Sequence, residues 1–536
     1  MGWLKHLLVT VVLISGLPTI VPTAAPAQEA ATEIVVTNNS DVSNGDTSSA
    51  ANLAANPGDD GISLREAISA TNNDPGSYII TFDTALIGTT ILLSDDLPAL
   101  LGGGLTIDGD IDDDPQPDVT LRSDGAQAGF KISSSNNWLR SIKLARFQFG
   151  VILQPPVNSI TTGATFADNA ISGMVMRGIG KAGINLDPTA LGNCGVPCNS
   201  ANTWSNTTVS ANVITAKAAG IFFWNSSSGE RVEHVKVTDN EITITGRAVG
   251  PGISFETAGP LGGEASTGAR ISDVLIARNS VSGSPDMGIG VAAGTGRGQD
   301  GAVTGARVID NRVELVKTGS YYCCQGIVVL AGSDDPSFAA GPPVRYLDDN
   351  TVRDVVVRNN VVSGTLEWGI ALEAAWGGGG RRNRVRDVRI KQNVVRTSAP
   401  RLGVMVVIGG GTPYDNRYTS DNRIAGVVIA SNRFVIGTGS DFRTAGPGIM
   451  AAGIALIGGG TWSRENVVRD VRMARNTIKS SYFGIEIIGG LDETARRNRV
   501  ICVPLRDNQI RGARKDVSIR ANVRGATGNK VRLDAC

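Results

Sequence analysis

The sequence predicts an all-β fold, a single-stranded right-handed parallel β-helix of about eleven to twelve coils behind an N-terminal capping segment with a short helix. Three observations predict it. First, asparagine recurs ten times in one frame, with an apolar residue three positions before it and another two positions after it. The frame fits Asn169, Asn212, Asn240, Asn279, Asn311, Asn360, Asn393, Asn432, Asn476 and Asn508, at gaps of 28 to 49 residues. Second, short apolar–polar alternations flank these positions, as in Asp387-Val-Arg-Ile-Lys-Gln-Asn393, which is strand periodicity with one buried face. Third, Gly is abundant (67) and aromatics are few (5%), which suits many short strands joined by tight turns.

Residues 1–27 read as a secretory signal. Lys5 and His6 open it, Leu7 to Ile14 is its apolar core, and Ala25-Pro-Ala27 fits an A-x-A cleavage site. No later apolar run is long enough to span a membrane. The reading is therefore a secreted protein, extracellular or periplasmic, with no membrane span once the signal is removed. Export makes the six cysteines candidates for disulfides. Cys194 and Cys198 frame a small loop, Cys323 and Cys324 are adjacent, and Cys502 and Cys536 are placed to staple the last coils. Charge is balanced at 50 basic against 50 acidic residues, which argues against general nucleic-acid binding.

Residues 28–125 form the expected cap. Gly61 to Ile68 is a helix start, with Ser63 as N-cap and Glu66 at its capping-box position. Ser63-Leu-Arg-Glu-Ala67 resembles the motif of bacterial secreted proteins that carry a C-S-L-R-E-A domain ahead of β-helix repeats. Ile62 stands where that family has Cys, so no cap disulfide is implied here. The resemblance covers residues 33–125. Beyond them the chain is similar to the wider pectate-lyase-like class of β-helix repeats, whose members include lyases and surface carbohydrate-binding proteins. That resemblance implies an extracellular glycan partner and leaves the activity open.

Residues 126–536 form the β-helix proper. Each coil is read as three short strands, with the ladder Asn in a left-handed turn position and its amide bonded to the Asn of the next coil. Gly-led strands such as Gly252-Ile-Ser-Phe-Glu256 and Gly369-Ile-Ala-Leu-Glu373 supply one face. Counted from those glycines, Val328, Leu330, Met405, Val407 and Ile457 point outward as an apolar stripe. Glu256 and Glu373 share an outward column and are read as solvated.

Three residue sets are candidate sites. Asp110, Asp112, Asp114 and Asp118 alternate as oxygen ligands do around calcium, which gives a candidate structural calcium turn. Asp354 and Asp387, with Arg386, are the catalytic candidates: one residue type at one place in successive coils puts two carboxylates about 5 Å apart. Trp224, Trp368 and Trp376 lie near the ends of the Gly-led strands, where flat rings stack on sugars. The leading function is a non-catalytic secreted protein that binds carbohydrate or a cell-surface matrix on a rigid sheet face. The alternatives are a polysaccharide lyase, glycoside hydrolase or epimerase, and a surface adhesin or structural filament.

Overall fold

The computed structural model describes residues 31–536 apart from 115, 157–160, 187–200, 226, 247–249, 259–265, 297, 317–323, 334–346, 365, 367, 376–379, 399–402, 412–418, 438–451, 480–481, 524 and 535. The signal-like segment, Trp376, Cys194, Cys198 and Cys323 lie outside the described residues. Among the described residues, three parallel sheets of 23, 13 and 12 strands run the length of the chain, here sheets I, II and III. Successive coils stack in register to build a right-handed parallel β-helix. No helix among the described residues is long and apolar enough to cross a membrane.

One coil shows how the sequence makes the shape. Val356–Arg358 lies in sheet I, Val361–Gly364 in sheet II, Trp368–Glu373 in sheet III, and Arg384–Arg386 returns to sheet I. Arg389–Lys391 is a second sheet I strand. A coil therefore holds four short strands where the sequence reading had three. Sheet I is bent in its middle by a residue with positive φ, such as Asp354 (56°), Asp387 (56°) or Asp470 (55°). Asp tolerates this conformation because its short side chain costs little there.

The corner between sheets I and II carries the asparagine ladder. From Asn212 to Asn508 each side-chain amide donates to the Oδ1 of the next ladder Asn at 2.9–3.0 Å. The left-handed residue is the one before each Asn, such as Asp239 (60°), Arg278 (56°), Asp310 (58°) or Gln392 (58°). That residue turns the chain with its side chain outward, and the Asn then points inward. Asn169 stands elsewhere. It lies in the middle of sheet I, where its Oδ1 accepts from Asn137 Nδ2 at 3.0 Å. Met174 fills the ladder column of its coil, and its backbone N–H donates to Asn212 Oδ1 at 3.0 Å.

Inside the coils, Val357, Ile390, Ile429 and Met473 stack with no exposed surface. Each such burial contributes about 1.5–3 kcal/mol, so a polar residue at Ile390 would break the local stack. The N-terminal end of this core is closed by Leu64–Asn73 (α-helical), which buries Leu64, Ala67 and Ile68 beside Ile34 and Ile80. Its capping box is complete, with Ser63 and Glu66 bonded reciprocally. Glu66 is fully buried, and its Oε1 also accepts from the backbone N–H groups of Asn44 and Gly45 at 2.6 Å each. Arg65 clamps Asp41 with two bonds of 2.9 Å. Ile62 packs against the core edge. At the other end Cys502 is disulfide-bonded to Cys536, with Cα atoms 4.7 Å apart. Cys324 is disulfide-bonded as well.

The coils vary in length at the two borders of sheet III. Two residues separate the paired strands of sheet I, and two separate sheet I from sheet II, in coil after coil. The connections into and out of sheet III absorb the rest. Residues 217–218 suffice between sheets II and III in one coil, whereas 437–451 fill the same gap in another.

Candidate functional site

Sheet III differs from the other two because both of its faces are buried over most of its length. In Ala219–Asn225 the residues Ile221 and Phe223 enter the core, where Phe223 stacks on Phe255 at 4.6 Å. Alternation places Phe222 and Trp224 on the outer face. Their rings lie 5.5 Å apart at 33°, and both are only half-buried. The adjoining strands place Asn185 beside Phe222, Ser254 on its other side, and Glu256 beside Trp224. Ser254 Oγ donates to Glu256 Oε1 at 2.6 Å, and Glu256 is 5% exposed. The outer face here combines two aromatic rings, an amide and a buried carboxylate.

Farther along, the outer face becomes apolar. Trp368 is 2% exposed and packs with Ala371, Val406, Ala455 and Ile457, so its ring is a packing element. Met405 and Val407 point into the core rather than outward, because Gly403 pairs with Trp368 and the register counted from glycine is off by one. Val328, Leu330 and Ile457 do face outward but are buried, so the stripe is not exposed. Glu373 shares the outer column with Glu256, through Ala292 and Leu330. It too is buried, at 1% exposure, and not solvated. Glu486 (side chain 2% exposed) lies on the same face and is ion-paired with Arg520, which is one-third exposed. Burial pushes the Glu486 carboxyl up, against the opposing pull of the Arg520 guanidinium. Sequence reasoning did not single out this pair. Alternation alone would have placed both residues outward, without showing that the face is covered.

Asp354 and Asp387 occupy the same bend of sheet I in consecutive coils, because Arg353 pairs with Arg386. Both are exposed, at the bend on the outer side of sheet I. Arg353 Nη1 lies 3.5 Å from Asp354 Oδ2. Asp387 leans over the next coil, where a Cβ on Gly426 would come within 2.7 Å of its Oδ1. In the same column His234 Nε2 lies 3.5 Å from Asp273 Oδ2, both exposed. Arg386 is exposed one residue before Asp387.

The acidic turn sits in the cap. Carboxylate oxygens of Asp110, Asp112 and Asp118 all lie within 4.8 Å of one another. Asp114 is outside this group, and its Oδ1 accepts from the Gln116 backbone N–H at 2.6 Å. Asp118 Oδ2 accepts from the Ile111 N–H at 2.7 Å, which folds the turn back on itself. Asp110 Oδ1 is buried without a hydrogen-bond partner. Burial, then the charges of Asp108, Asp113, Asp118 and Asp114, push the Asp110 carboxyl up. A hard divalent cation would relieve that repulsion, so three of the four residues fit one.

No family model matches the chain, and no curated protein matches it. Solved structures do. The A-module of the mannuronan C-5 epimerase AlgE4 of Azotobacter vinelandii is 12% identical, with TM-score 0.38, over 87% of this chain and 96% of that one. A tailspike protein of the E. coli bacteriophage HK620, in complex with a pentasaccharide, is 11% identical, with TM-score 0.41, over 87% and 76%. The catalytic unit of an α-1,3-glucanase from Streptomyces thermodiastaticus is 12% identical, with TM-score 0.28, over 88% and 66%.

Proposed function

We propose that this chain is an exported glycan-binding rod that does no chemistry of its own. The observation that carries the reading is the Phe222–Trp224 ring pair, half-buried on the outer face of sheet III. Fixed rings on a rigid sheet offer a sugar ring a stacking platform without loss of side-chain freedom. Asn185 and Glu256 border the rings and supply hydrogen-bonding groups for hydroxyls. Glu256 and Glu373 stand three rungs apart, about 14 Å, too far for a paired acid–base mechanism. The acidic turn of Asp110, Asp112 and Asp118 would hold a structural calcium ion in the cap.

A panel of neutral and acidic polysaccharides tests the reading, with depletion from solution and new chain ends followed together. Binding without new ends, weakened about tenfold or more by Trp224→Ala, is the expected result. Wild-type binding by Trp224→Ala removes the platform from the account.

The second reading is cleavage or epimerisation of an extracellular glycan, favoured by Asp354 and Asp387 standing at one bend in successive coils. New chain ends that vanish in Asp387→Asn would establish cleavage in place of the first reading, and an altered epimer content without new ends, lost in the same variant, would establish epimerisation.

A further inference from the structure

Sheet I carries a charge pattern that the fold does not require. In the early coil at 203–210 the outer positions are small and neutral, Thr203, Ser205, Thr208 and Ser210, and the next coil already mixes Arg231, Glu233 and Lys236 there. The coil at 384–391 fills the equivalent positions with Arg384, Arg386, Arg389 and Lys391. Its neighbours extend the pattern. Arg353 stacks on Arg386, Arg358 on Lys391, and Arg423 on Arg384. The coil of Arg423 interrupts the other columns with Ala425 and Val428, and Arg469, Arg472 and Arg499 resume the charge farther along.

Like charges directly opposed across a strand pair destabilise a sheet. Arg353 is offset by Asp354 at 3.5 Å and Arg469 by Asp470 at 3.2 Å. Arg384, Arg386, Arg389 and Arg423 make no ion pair among the described residues, and all four are exposed. Since Ser and Thr hold the same positions in the same fold, stability did not select these arginines.

We propose that the outer face of sheet I, from Arg353 to Arg499, docks an extended acidic polysaccharide lying along the rod axis. Every coil of this stretch carries at least one of these cations, so a polymer bearing one carboxylate or sulfate per sugar meets positive charge at each coil rise of about 4.8 Å. The bend carboxylates Asp354, Asp387 and Asp470 run between the two rows of cations. They leave lanes for a narrow chain and repel a broad duplex. Described residues of this face include no aromatic side chain from Thr351 to Arg506, so single-stranded nucleic acid finds no stacking platform. This surface is separate from the ring pair on sheet III and stands whether or not that pair binds sugar.

The test uses the whole protein with polygalacturonate, heparin and dextran, and a single-stranded oligonucleotide of matched charge. Titrations run from low to physiological salt. Binding to polygalacturonate or heparin, and not to dextran, is expected. The two polyanions separate carboxylate from sulfate as the preferred group. The triple variant Arg384→Ser, Arg386→Ser, Arg389→Ser should bind at least tenfold more weakly. Its log K against log salt slope should be shallower by about 2 to 3, as counterion release requires. The matching Lys triple should keep most of the binding, and Trp224→Ala should not alter it. Thermal unfolding of the Ser triple should be no earlier than wild type, since Ser and Thr hold these positions in the early coil at 203–210. Unchanged binding by the Ser triple, absence of binding to either polyanion, or oligonucleotide binding as tight as either polysaccharide would each overturn the proposal.

Discussion

Asn360 gives both its backbone N–H and its side-chain amide to the single Oδ1 of Asn393, at 3.0 Å each. Asn393 repeats the arrangement toward Asn432. Removing one rung therefore strands two buried donors below it. Asn393→Ala should destabilise the protein by about 3 kcal/mol, since each unsatisfied buried donor costs about 1–3 kcal/mol. Asn393→Asp should be worse, because it sets a buried carboxylate oxygen against the Asn432 Oδ1 and the Val357 carbonyl, to which the Asn393 amide donates. Chemical denaturation checks both, and a loss below about 1 kcal/mol for the Ala variant would contradict the ladder's role.

The Cys502–Cys536 bond closes a stretch with a sequence separation of 34. Loop closure of that length is worth about 3–4 kcal/mol in the chain-entropy account. A solenoid is stabilised coil by coil, so the effect should stay local. Reduction should raise hydrogen exchange in 499–532 and leave the coil of Val356–Glu373 unchanged. Uniform loss of protection along the rod would contradict this.

Glu486 gives a pH dependence with a definite sign. Its carboxyl is pushed up by burial, with Arg520 opposing. An acid whose folded pKa lies above its unfolded value stabilises the fold in acid and loses that contribution as pH rises through the folded pKa. Glu486→Gln does not ionise. The melting temperature of this variant minus that of wild type should therefore increase from pH 4 to pH 7. A difference that stays flat, or falls, would show that Arg520 outweighs burial.

Calcium is expected to act on the cap. Adding it should raise the melting temperature, and chelator should lower it. Asp110→Asn should abolish the shift, whereas Asp114→Asn should leave it, because Asp114 lies outside the cluster of three carboxylates. An equal response of both variants would mean that the turn is only an acidic surface.

The ladder was legible because the corner between sheets I and II has fixed length, so the apolar residues keep constant offsets from each Asn. A second ladder lies ten residues earlier, at Asn350, Asn383, Asn422, Asn466, Asn498 and Asn529. Each backbone N–H in it donates to the next Oδ1 at 2.8–3.0 Å. The frame passes over it at Asn383, Asn422 and Asn466 because a small or polar residue, Gly380, Thr419 or Ser463, stands three positions before the Asn where the frame needs an apolar one. Asn169 fitted the frame by sequence yet fell one strand early, since sheet I contains two strands per coil. Glu256 and Glu373 were correctly read as outward. Periodicity tells which way a side chain points and not what lies over it, so their burial was invisible. The cations of sheet I could be read in the sequence one by one, but only the register shows Arg353, Arg386, Arg384 and Arg423 stacked on like charges.

The confinement of length variation to the edges of sheet III divides the chain into a metered part and an editable part. One residue inserted between sheets I and II would turn every following side chain of that coil to the wrong face. Fifteen residues already occupy 437–451 at a border of sheet III, and the strands on either side still pair with their neighbours. New segments can be grafted at those borders while the spacing of every charge on sheet I stays as it was. The rod can therefore acquire new surface along one side without losing its ruler on the other.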